Sequence, residues 1–365
     1  MRGETTTALG LMSGTSLDGI DAALIATDGE RVSAFGPART FPYGAGMRAR
    51  LAALLGREDR DAPEVRAAGV ELTRLHADAV AALLAEASVR WRRPGVVGFH
   101  GQTLAHAPDR GLTVQIGDGA ALARATGIAV VSDFRSADVA AGGQGAPLVP
   151  VYHRALVDSW VGRPAGWVAV LNIGGVANLT AIAPGGEMIA FDTGPGNAPL
   201  DDWAKRTTGR PCDEGGALAA RGRIDEAWLI RALSCPYFAA TPPKSLDRNA
   251  FPLPAAGLFS PEDGAATLAA LTVRAVGLAR EHLPEAPACW VVTGGGRLNP
   301  VLMAGLAEHL GVPVQPAEAA GWDGDALEAQ AFAFLAVRCL RGLPFSYPST
   351  TGVPAPQGGA RLDQP

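Results

Sequence analysis

The sequence lacks a strong excess of charge of either sign, and it lacks long apolar runs. It has 31 Lys and Arg against 36 Asp and Glu, which gives a net charge of −5. Without a basic excess there is no field to attract nucleic acid or anionic lipid, so we exclude both as main partners. No stretch reaches the roughly 18 apolar residues of a membrane-spanning helix. The first residues, MRGETTTALGLMSG, lack the apolar segment of a signal peptide, so we expect a cytoplasmic protein.

Cysteine is scarce. The four cysteines are far apart, and none forms a Cys-x-x-Cys pair. Closely spaced cysteines or histidines would be needed for a zinc site, and a disulfide framework belongs to small secreted domains. The sequence therefore predicts reduced thiols at Cys212, Cys235, Cys289 and Cys339.

Apolar residues are plentiful, at 48% of 365 residues, whereas charged residues make up 18%. A chain of this length and composition can bury a large core, and its length favours two domains. The stretch 140–150, AAGGQGAPLVP, is rich in small residues and proline. We interpret it as the crossover into a second domain.

A strand–turn–strand pattern occurs twice. Residues 7–12 and 19–27 read as strands around a polar tip, and residues 167–173 and 179–183 repeat the arrangement. Two hairpins of one kind, one in each half, predict an internally duplicated α/β fold. Helical periodicity marks residues 47–90 and 325–341, and the proline-rich tail after 341 is expected to be extended and partly loose.

The first hairpin, LGLMSGTSLDGIDAAL at 9–24, has the small residues that let backbone N–H groups approach a phosphate. It is not a P-loop, because Ile20 and Asp21 occupy the positions of the required Lys and Ser/Thr, and a strand follows instead of a helix. Asp18 and Asp21 offer carboxylates for Mg²⁺, directly or through water. The alternative is an ordinary tight turn.

Two further glycine turns follow strands. Gly174 and Gly175, in LNIGGVANLT, favour a second phosphate-binding turn, although such a turn alone is usually only a turn. The glycines of VVTGGGRLNP leave room for a flat base and ribose, and close packing of strand and helix explains them equally well. The residues assigned to the base and ribose are Gly294, Gly295, Gly296 and Asn299, the last also a possible helix N-cap.

Other polar residues occur at predicted strand ends and turns. Asp192 precedes a Gly-Pro-Gly turn that would fix its carboxylate as a general base, although an Asx-turn or helix cap is an alternative. His100 and Gln102 can read sugar hydroxyls, and Arg135 can bind a carboxylate through two nitrogens. Glu328, on an apolar helix face, needs a partner or a ligand. For His100, Gln102, Arg135 and Glu328 there is an equally good alternative: a place in a surface loop, or a core polar group whose hydrogen bonds are satisfied by the protein.

Taken together and in this order, the motifs resemble the anhydro-N-acetylmuramic acid kinase family. The resemblance covers nearly the whole chain. The segment APLDDW after FDTGPGN and Ser136-Ala137 after DFR depart from some relatives. The matching segments are GLMSGTSLDGID, FHGQT, VQIGDGA, DFR-x2-DVAAGGQGAPLVP, LNIGGVANLT, FDTGPGN, PKS and GGG-x2-N.

The resemblance implies a two-domain actin/Hsp70/sugar-kinase fold, which is a duplicated ribonuclease H-like fold with a cleft for ATP, Mg²⁺ and sugar. Residues 1–138 with about 325–365 would form one domain and 139–324 the other. Asp192 would activate water to open 1,6-anhydro-N-acetylmuramic acid while O6 takes the γ-phosphoryl group, and a homodimer is expected. The ATP phosphates would contact Ser13, Gly14, Thr15, Ser16, Leu17, Asp18, Gly19, Ile20, Gly174 and Gly175. The sugar would contact His100, Gln102, Arg135, Asn197 and Glu328.

Two other functions share many of these features. An ordinary sugar kinase would use Asp192 on a free hydroxyl, and only the sugar-reading loops would distinguish it. A regulatory ATP-binding module would keep the glycine turns without chemistry, and the turn after Asp192 argues against that reading.

Overall fold

The computed structural model describes residues 3–14, 16–246, 248, 251, 253–255 and 257–365. Contacts within the chain divide it into two compact units. Unit 1 comprises Met1–Ser159 and Ala326–Pro365, and unit 2 comprises Trp160–Asp325. In the part of the chain that the structure describes, no helix combines the length and apolar character that crossing a membrane requires.

Unit 1 contains a mixed sheet with helices packed against it. Its strands are β1 (Thr6–Ser13), β2 (Gly19–Thr27), β3 (Val32–Pro42), β4 (Val96–Ala107), β5 (Leu112–Ile116), β6 (Val130–Ser132) and, from the end of the chain, β12 (Arg361–Asp363). Its helices are α1 (Ala45–Leu54), α2 (Pro63–Glu86), α3 (Gly119–Thr126), α4 (Ser136–Ala140), α5 (Pro150–Ser159) and α11 (Leu327–Leu340).

Unit 2 has a second sheet with its own helices. Its strands are β7 (Val168–Ile173), β8 (Val176–Ile182), β9 (Met188–Pro195), β10 (Cys289–Thr293) and β11 (Val314–Pro316). Its helices are α6 (Asn197–Thr208), α7 (Glu226–Leu233), α8 (Pro236–Ala239), α9 (Pro261–Ala279) and α10 (Pro300–Leu310).

The two sheets share one topology. In unit 1 the order is β3–β2–β1–β4–β6, with antiparallel pairing up to β1 and parallel pairing from β1 to β6. In unit 2 the order β9–β8–β7–β10–β11 has the same directions. This repeated order confirms the predicted duplication and the α/β class of ribonuclease H-like, actin-type folds.

The sequence-based division after residue 138 falls inside unit 1. The helix α5 lies beyond that position and packs against α11 and β3 of the same unit. The stretch 140–150 is therefore a loop of unit 1 that leads into α5 rather than into unit 2.

Glycines allow α11 to lie directly on the first sheet. Gly10 of β1 and Gly98 of β4 are register partners. A Cβ on Gly10 would come within 1.7 Å of the Ala329 carbonyl oxygen, and one on Gly98 within 2.0 Å of that of Phe332. A side chain at either position would push the helix away from the sheet.

Two expectations about local structure were wrong. The predicted helix over 47–90 is two helices, α1 and α2, because residues 55–62 form a turn that ends before Pro63. The tail is ordered rather than loose. It forms an antiparallel bridge between Ser346 and Gln357, and it ends as β12, which pairs with β6.

Candidate active site

Buried side chains hold the turn between β1 and β2 in place through hydrogen bonds. The hydroxyl of Ser13 donates to Gln102 Oε1 over 2.5 Å and lies 2.7 Å from the Tyr43 hydroxyl. Gln102 Nε2 in turn donates to the Gly14 carbonyl, 3.2 Å away. These contacts fix the end of β1, where the chain turns.

The turn itself has an unusual backbone. Leu17 has a φ of 57°, a left-handed conformation that a leucine adopts only when its surroundings enforce it. Its N–H donates to the Gly14 carbonyl, and its own carbonyl accepts from Arg48 Nε at 2.9 Å. Ser16 is exposed and donates to Asp18. Thr15, which was expected to bind phosphate, lies outside the described residues.

Asp18 and Asp21 both lie near the buried phenol of Tyr43. Burial chiefly raises the pKa of Tyr43, and the charges of the two carboxylates raise it further. Asp21 also accepts a hydrogen bond from Thr40, and the Asp18 carbonyl accepts from the Tyr43 N–H. Tyr43 therefore stays protonated, and it connects the serine at the end of β1 to the backbone of Asp18.

Gln102 was expected to read sugar hydroxyls, but it is fully buried. Its Nε2 donates to both the Gly14 and Thr103 carbonyls, and its Oε1 accepts from Ser13. Because both of its amide hydrogens bind the protein, it supports the turn instead of facing a ligand.

His100 and Arg135, both expected at the sugar, are hydrogen-bonded to each other. His100 Nδ1 lies 2.9 Å from the Gly101 carbonyl, and Arg135 donates to His100 Nε2 from Nε at 3.1 Å and Nη2 at 3.0 Å. Since Nε2 accepts, the proton is on Nδ1. Burial, and then the charge of Arg135, holds the pKa of His100 well below its usual value, so the ring is neutral.

A cavity of about 530 Å³ opens beside His100 within unit 1. Backbone of the turn between β5 and α3, at Gly117 to Gly119, lines one side, and side chains of α2 such as Arg66 line another. Its volume falls in the range of small-molecule sites. Glu328, also expected at the sugar, is half-buried in the first turn of α11 in the same unit.

Asp192 lies within β9 and is 8% exposed, rather than following the strand as expected. The N–H of Leu246 donates to its Oδ2 over 2.8 Å. Its own N–H donates to the Lys244 carbonyl, and the Tyr237 hydroxyl donates to its carbonyl at 2.7 Å. The segment 237–246 therefore holds Asp192 through both its carboxylate and its backbone.

Lys244 holds that segment in place. Its Nζ donates to the Tyr237 and Phe238 carbonyls at 2.9 and 3.1 Å, and it lies over the Tyr237 ring. Burial lowers the pKa of this lysine. Because two of its hydrogen bonds go to the carbonyls of Tyr237 and Phe238, Lys244 fixes the backbone of the segment that contacts Asp192.

In unit 2, the turn after β7 and the end of β9 are bonded together. The N–H groups of Gly196 and Asn197 donate to the Gly175 and Gly174 carbonyls at 3.1 and 2.7 Å. The Asn197 side chain donates to the Ile173 carbonyl. Asn197, expected at the sugar, thus lies with the glycines expected to bind phosphate.

The glycine turn after β10 approaches the same strand ends. A Cβ on Gly294 would lie 2.4 Å from Asn172 Oδ1, and one on Gly296 would lie 2.4 Å from the Ile173 side chain. Gly294 also has a φ of 72°, which favours glycine. Beyond it, the Asn299 side-chain oxygen accepts from the Val301 and Leu302 N–H groups, so it caps α10 and the proposed alternative is confirmed.

A buried arginine that the sequence did not single out supports this turn. Arg297 donates to the Gly294 carbonyl at 3.0 Å and forms ion pairs with Glu318 and Asp325, each at 2.8 Å. Like Tyr43, Tyr237 and Lys244, it supports backbone next to a candidate site residue. A lone Arg or Tyr beside a motif carries no distinguishing signal in one sequence, so only the fold identifies it.

No group of three or more His, Cys, Asp or Glu side chains suited to a metal ion occurs among the described residues. A magnesium ion keeps several waters and binds one or two carboxylates with substrate phosphates, so such a cluster is not required. The hard oxygen donors of Asp18 and Asp21, beside a turn suited to phosphate, fit this kind of ion.

Comparison with known proteins identifies close relatives. The sequence model described as "Anhydro-N-acetylmuramic acid kinase" matches residues 6–359. Proteins of that name from Rhodospirillum rubrum and Paramagnetospirillum magneticum are each 55% identical to this chain. The matches cover 96% and 98% of this chain and 92% and 99% of those proteins.

Among solved structures, the activator of the 2-hydroxyisocaproyl-CoA dehydratase from Clostridium difficile with bound ADPNP aligns with a TM-score of 0.44 and 14% identity. The alignment covers 92% of this chain and 96% of that one. A likeness of this size adds nothing to the fold assignment, which depends on the strand order.

Proposed function

Since this chain belongs to the anhydro-N-acetylmuramic acid kinase family, we propose how its residues carry out the reaction of that family. The protein is an ATP-dependent kinase of 1,6-anhydro-N-acetylmuramic acid that acts in peptidoglycan recycling. In the proposed reaction, water adds to C1 and the C1–O6 bond breaks. O6 then takes the γ-phosphoryl group of ATP, and the products are N-acetylmuramic acid 6-phosphate and ADP.

Asp192 is the proposed general base, which takes the proton of the attacking water. The observation that carries this assignment is its fixed and nearly buried carboxylate, oriented by the Leu246 N–H. A base held in one orientation can accept a proton along a defined line, and such catalysis contributes on the order of 10²–10⁴ to the rate. Opening the ring turns O6 into the phosphoryl acceptor, so one base serves both steps.

The turn between β1 and β2 is proposed to bind the ATP phosphates through the backbone of residues 13–20, and Gly174 and Gly175 are proposed to contribute in the same way. The left-handed Leu17 and the buried brace of Ser13, Gln102 and Tyr43 support this role, because they set the turn before a ligand arrives. Phosphoryl transfer depends mainly on alignment and charge neutralisation, which fixed backbone donors supply.

Mg²⁺ is proposed to bind at Asp18 and Asp21, directly or through water. When bound, the ion would neutralise charge on the phosphates of ATP. Asp18 directly precedes β2 and Asp21 is the third residue of that strand, so both belong to the same turn and strand start.

The nucleotide base and ribose are proposed to lie at Gly294, Gly295 and Gly296. A side chain at the first or the third would clash with the end of β7. Asn299 contributes there by capping α10. For the sugar we propose His100, Arg135, Asn197 and Glu328. The cavity beside His100 supports the first of these, while Gln102 acts by supporting the phosphate turn.

Measuring ADP release with three acceptors tests the reaction. The purified protein is assayed with the anhydro sugar, with free N-acetylmuramic acid and without sugar. ADP formed with the anhydro sugar alone supports the proposal. ADP formed equally with the free sugar identifies an ordinary sugar kinase, and ADP formed equally without sugar identifies a regulatory ATP-binding module.

The Asp192→Asn substitution tests the base. We expect the rate to fall on the order of 10²–10⁴-fold with little change in fold, since the amide keeps the shape but accepts no proton. Asp78→Asn is the matched control, because it makes the same change at an exposed position of α2, where Asp78 pairs with Arg74. Near-normal turnover of the Asp192 variant would show that another group is the base.

The protein is further proposed to act as a homodimer in the cytoplasm, as its resemblance to the family implies. Light scattering during size-exclusion chromatography measures the mass directly. A single chain is 37.4 kDa, so a peak at that mass across micromolar concentrations would contradict the dimer.

A further inference from the structure

We infer that Thr351, in the C-terminal segment, positions Arg135 and His100 for the sugar. The inference rests on the proposed function in one respect, the sugar-binding role of those two residues. A series of short hydrogen bonds, all within unit 1, connects Thr351 to Arg135 and His100.

The first step joins the tail to a buried carboxylate. Thr351 is fully buried, and its hydroxyl donates to Asp138 Oδ2 over 2.6 Å. Its carbonyl accepts from the Gln144 N–H, also at 2.6 Å. Both the side chain and the backbone of Thr351 therefore bind the segment 138–145.

The second step joins that carboxylate to Arg135. Asp138, 1% exposed, uses its other oxygen to accept from the Gly145 N–H at 2.6 Å. The Gly145 carbonyl then accepts from Arg135 Nη1 at 2.7 Å. Asp138 thus fixes Gly145, the residue whose carbonyl orients the guanidinium.

The third step reaches His100. The two remaining nitrogens of Arg135 donate to His100 Nε2, so the guanidinium plane and the imidazole ring are fixed relative to one another. An aromatic series supports the same end of the tail, since Phe345 contacts Phe134, which contacts Phe332, and His100 lies 4.7 Å from the Phe332 ring.

The physical reason for a role beyond stability is geometric. Buried hydrogen bonds to a carboxylate are short and directional, so they hold Gly145 in one position. If the Thr351 hydroxyl is removed, Asp138 keeps an unpaired oxygen in a buried place, and the segment must move to satisfy it. A small shift in a side chain that binds a substrate changes the substrate affinity far more than it changes the stability of the fold.

The chain offers a matched control at the adjacent position. Thr350 is also buried, at 1% exposure, but among the residues that the structure describes its hydroxyl bonds with the Tyr347 backbone inside the tail. Thr350→Val and Thr351→Val therefore remove the same group at the same depth. Only the second removes a contact with Asp138.

The experiment measures the KM for the anhydro sugar, the KM for ATP, kcat and the melting temperature of each full-length variant. For Thr351→Val we expect the KM for the sugar to rise by about 10-fold with the KM for ATP unchanged. Thr351→Ser, which keeps the hydroxyl, should restore most of the sugar affinity. Thr350→Val should lower the melting temperature without changing either KM. Should Thr351→Val not fold, Thr351→Ala compared with Thr351→Ser carries the same test.

Equal sugar KM values for Thr351→Val and wild type would overturn the inference and leave the tail a structural element only. Arg135→Gln separates this failure from that of the proposed function. If Arg135→Gln raises the sugar KM and Thr351→Val does not, the positioning role alone is wrong. If Arg135→Gln leaves the sugar KM unchanged, both the sugar-binding role of Arg135 and the inference are wrong.

Discussion

At the scale of single residues, the proposed base is oriented by hydrogen bonds from neighbouring residues of the segment 237–246. Asp192 receives the Leu246 N–H on its carboxylate, and the Tyr237 hydroxyl binds its carbonyl. Burial, and then the charge of Asp192, raises the pKa of Tyr237, so the phenol keeps its proton and remains a donor. Tyr237 is therefore a positioning residue for the base.

Tyr237→Phe removes this hydrogen bond and keeps the ring against Lys244. We expect kcat to fall by about 10-fold and the KM for ATP to stay unchanged, with a stability loss of about 1 kcal/mol. Tyr152→Phe is the control, since it removes a buried phenol hydrogen bond to Gln330 in unit 1. A kcat loss of equal size in both variants would show that Tyr237 acts through stability alone.

Residues of the candidate site were recognisable from the sequence where they form a motif. Residues that support a motif through buried contacts were not. The glycine-rich stretches 14–19, 174–175 and 294–296 were recognisable as turns after strands, and their role in binding ATP stays a prediction. Gln102 belongs to an equally recognisable motif, but its partners, Ser13 and Gly14, lie far from it in sequence. Sequence distance hides such a pairing, so the supporting role became clear only in the fold.

At the scale of elements, the close contact between α11 and the first sheet depends on bare backbone. A methyl group on Gly98 would lie 2.0 Å from the Phe332 carbonyl oxygen, which is backbone in the middle of a buried helix. Neither the strand nor the helix can yield locally, because both are bonded along their length.

We therefore expect Gly98→Ala to lower the free energy of unfolding by about 1–3 kcal/mol or more, the usual effect of overpacking. Urea denaturation followed by circular dichroism measures the change. Gly46→Ala in α1 is the control, because nothing lies within 4 Å of its Cβ position and alanine favours a helix. Equal stability of the Gly98 variant and wild type would mean that the helix can move away without cost.

The strands and the duplication were predictable because apolar alternation and glycine tips repeat in both halves. The structure of the tail was not predictable, because its prolines and glycines form no periodic pattern. Its order comes from partners distant in sequence, with β12 pairing to β6 and Thr351 binding Asp138. Local composition carries no information on such pairings, so the expectation of a loose tail was wrong.

At the scale of the whole molecule, unit 1 contains three buried histidines that disfavour protonation. Burial lowers the pKa of His76 to about 4 and that of His153 to about 3, and burial together with Arg135 holds that of His100 well below 6.5. Below pH 6.5 the unfolded chain binds protons at these positions and the folded chain does not, so stability must fall as the pH falls. Asp201 of unit 2 acts in the opposite direction, since burial raises its pKa to about 6.

Each such histidine destabilises the fold by about 1.4 kcal/mol per pH unit below 6.5, so the three outweigh the single aspartate. We expect the free energy of unfolding to fall between pH 7.5 and pH 5 by about 2 kcal/mol for each histidine. Urea denaturation at several pH values measures the slope. His76→Leu should reduce the slope of unfolding free energy against pH by the equivalent of about one bound proton. His309→Gln, which removes an exposed histidine of α10, should change the slope less. A wild-type stability that is equal at pH 7.5 and pH 5 would mean that these rings are protonated inside the fold or that acid opens unit 1 locally.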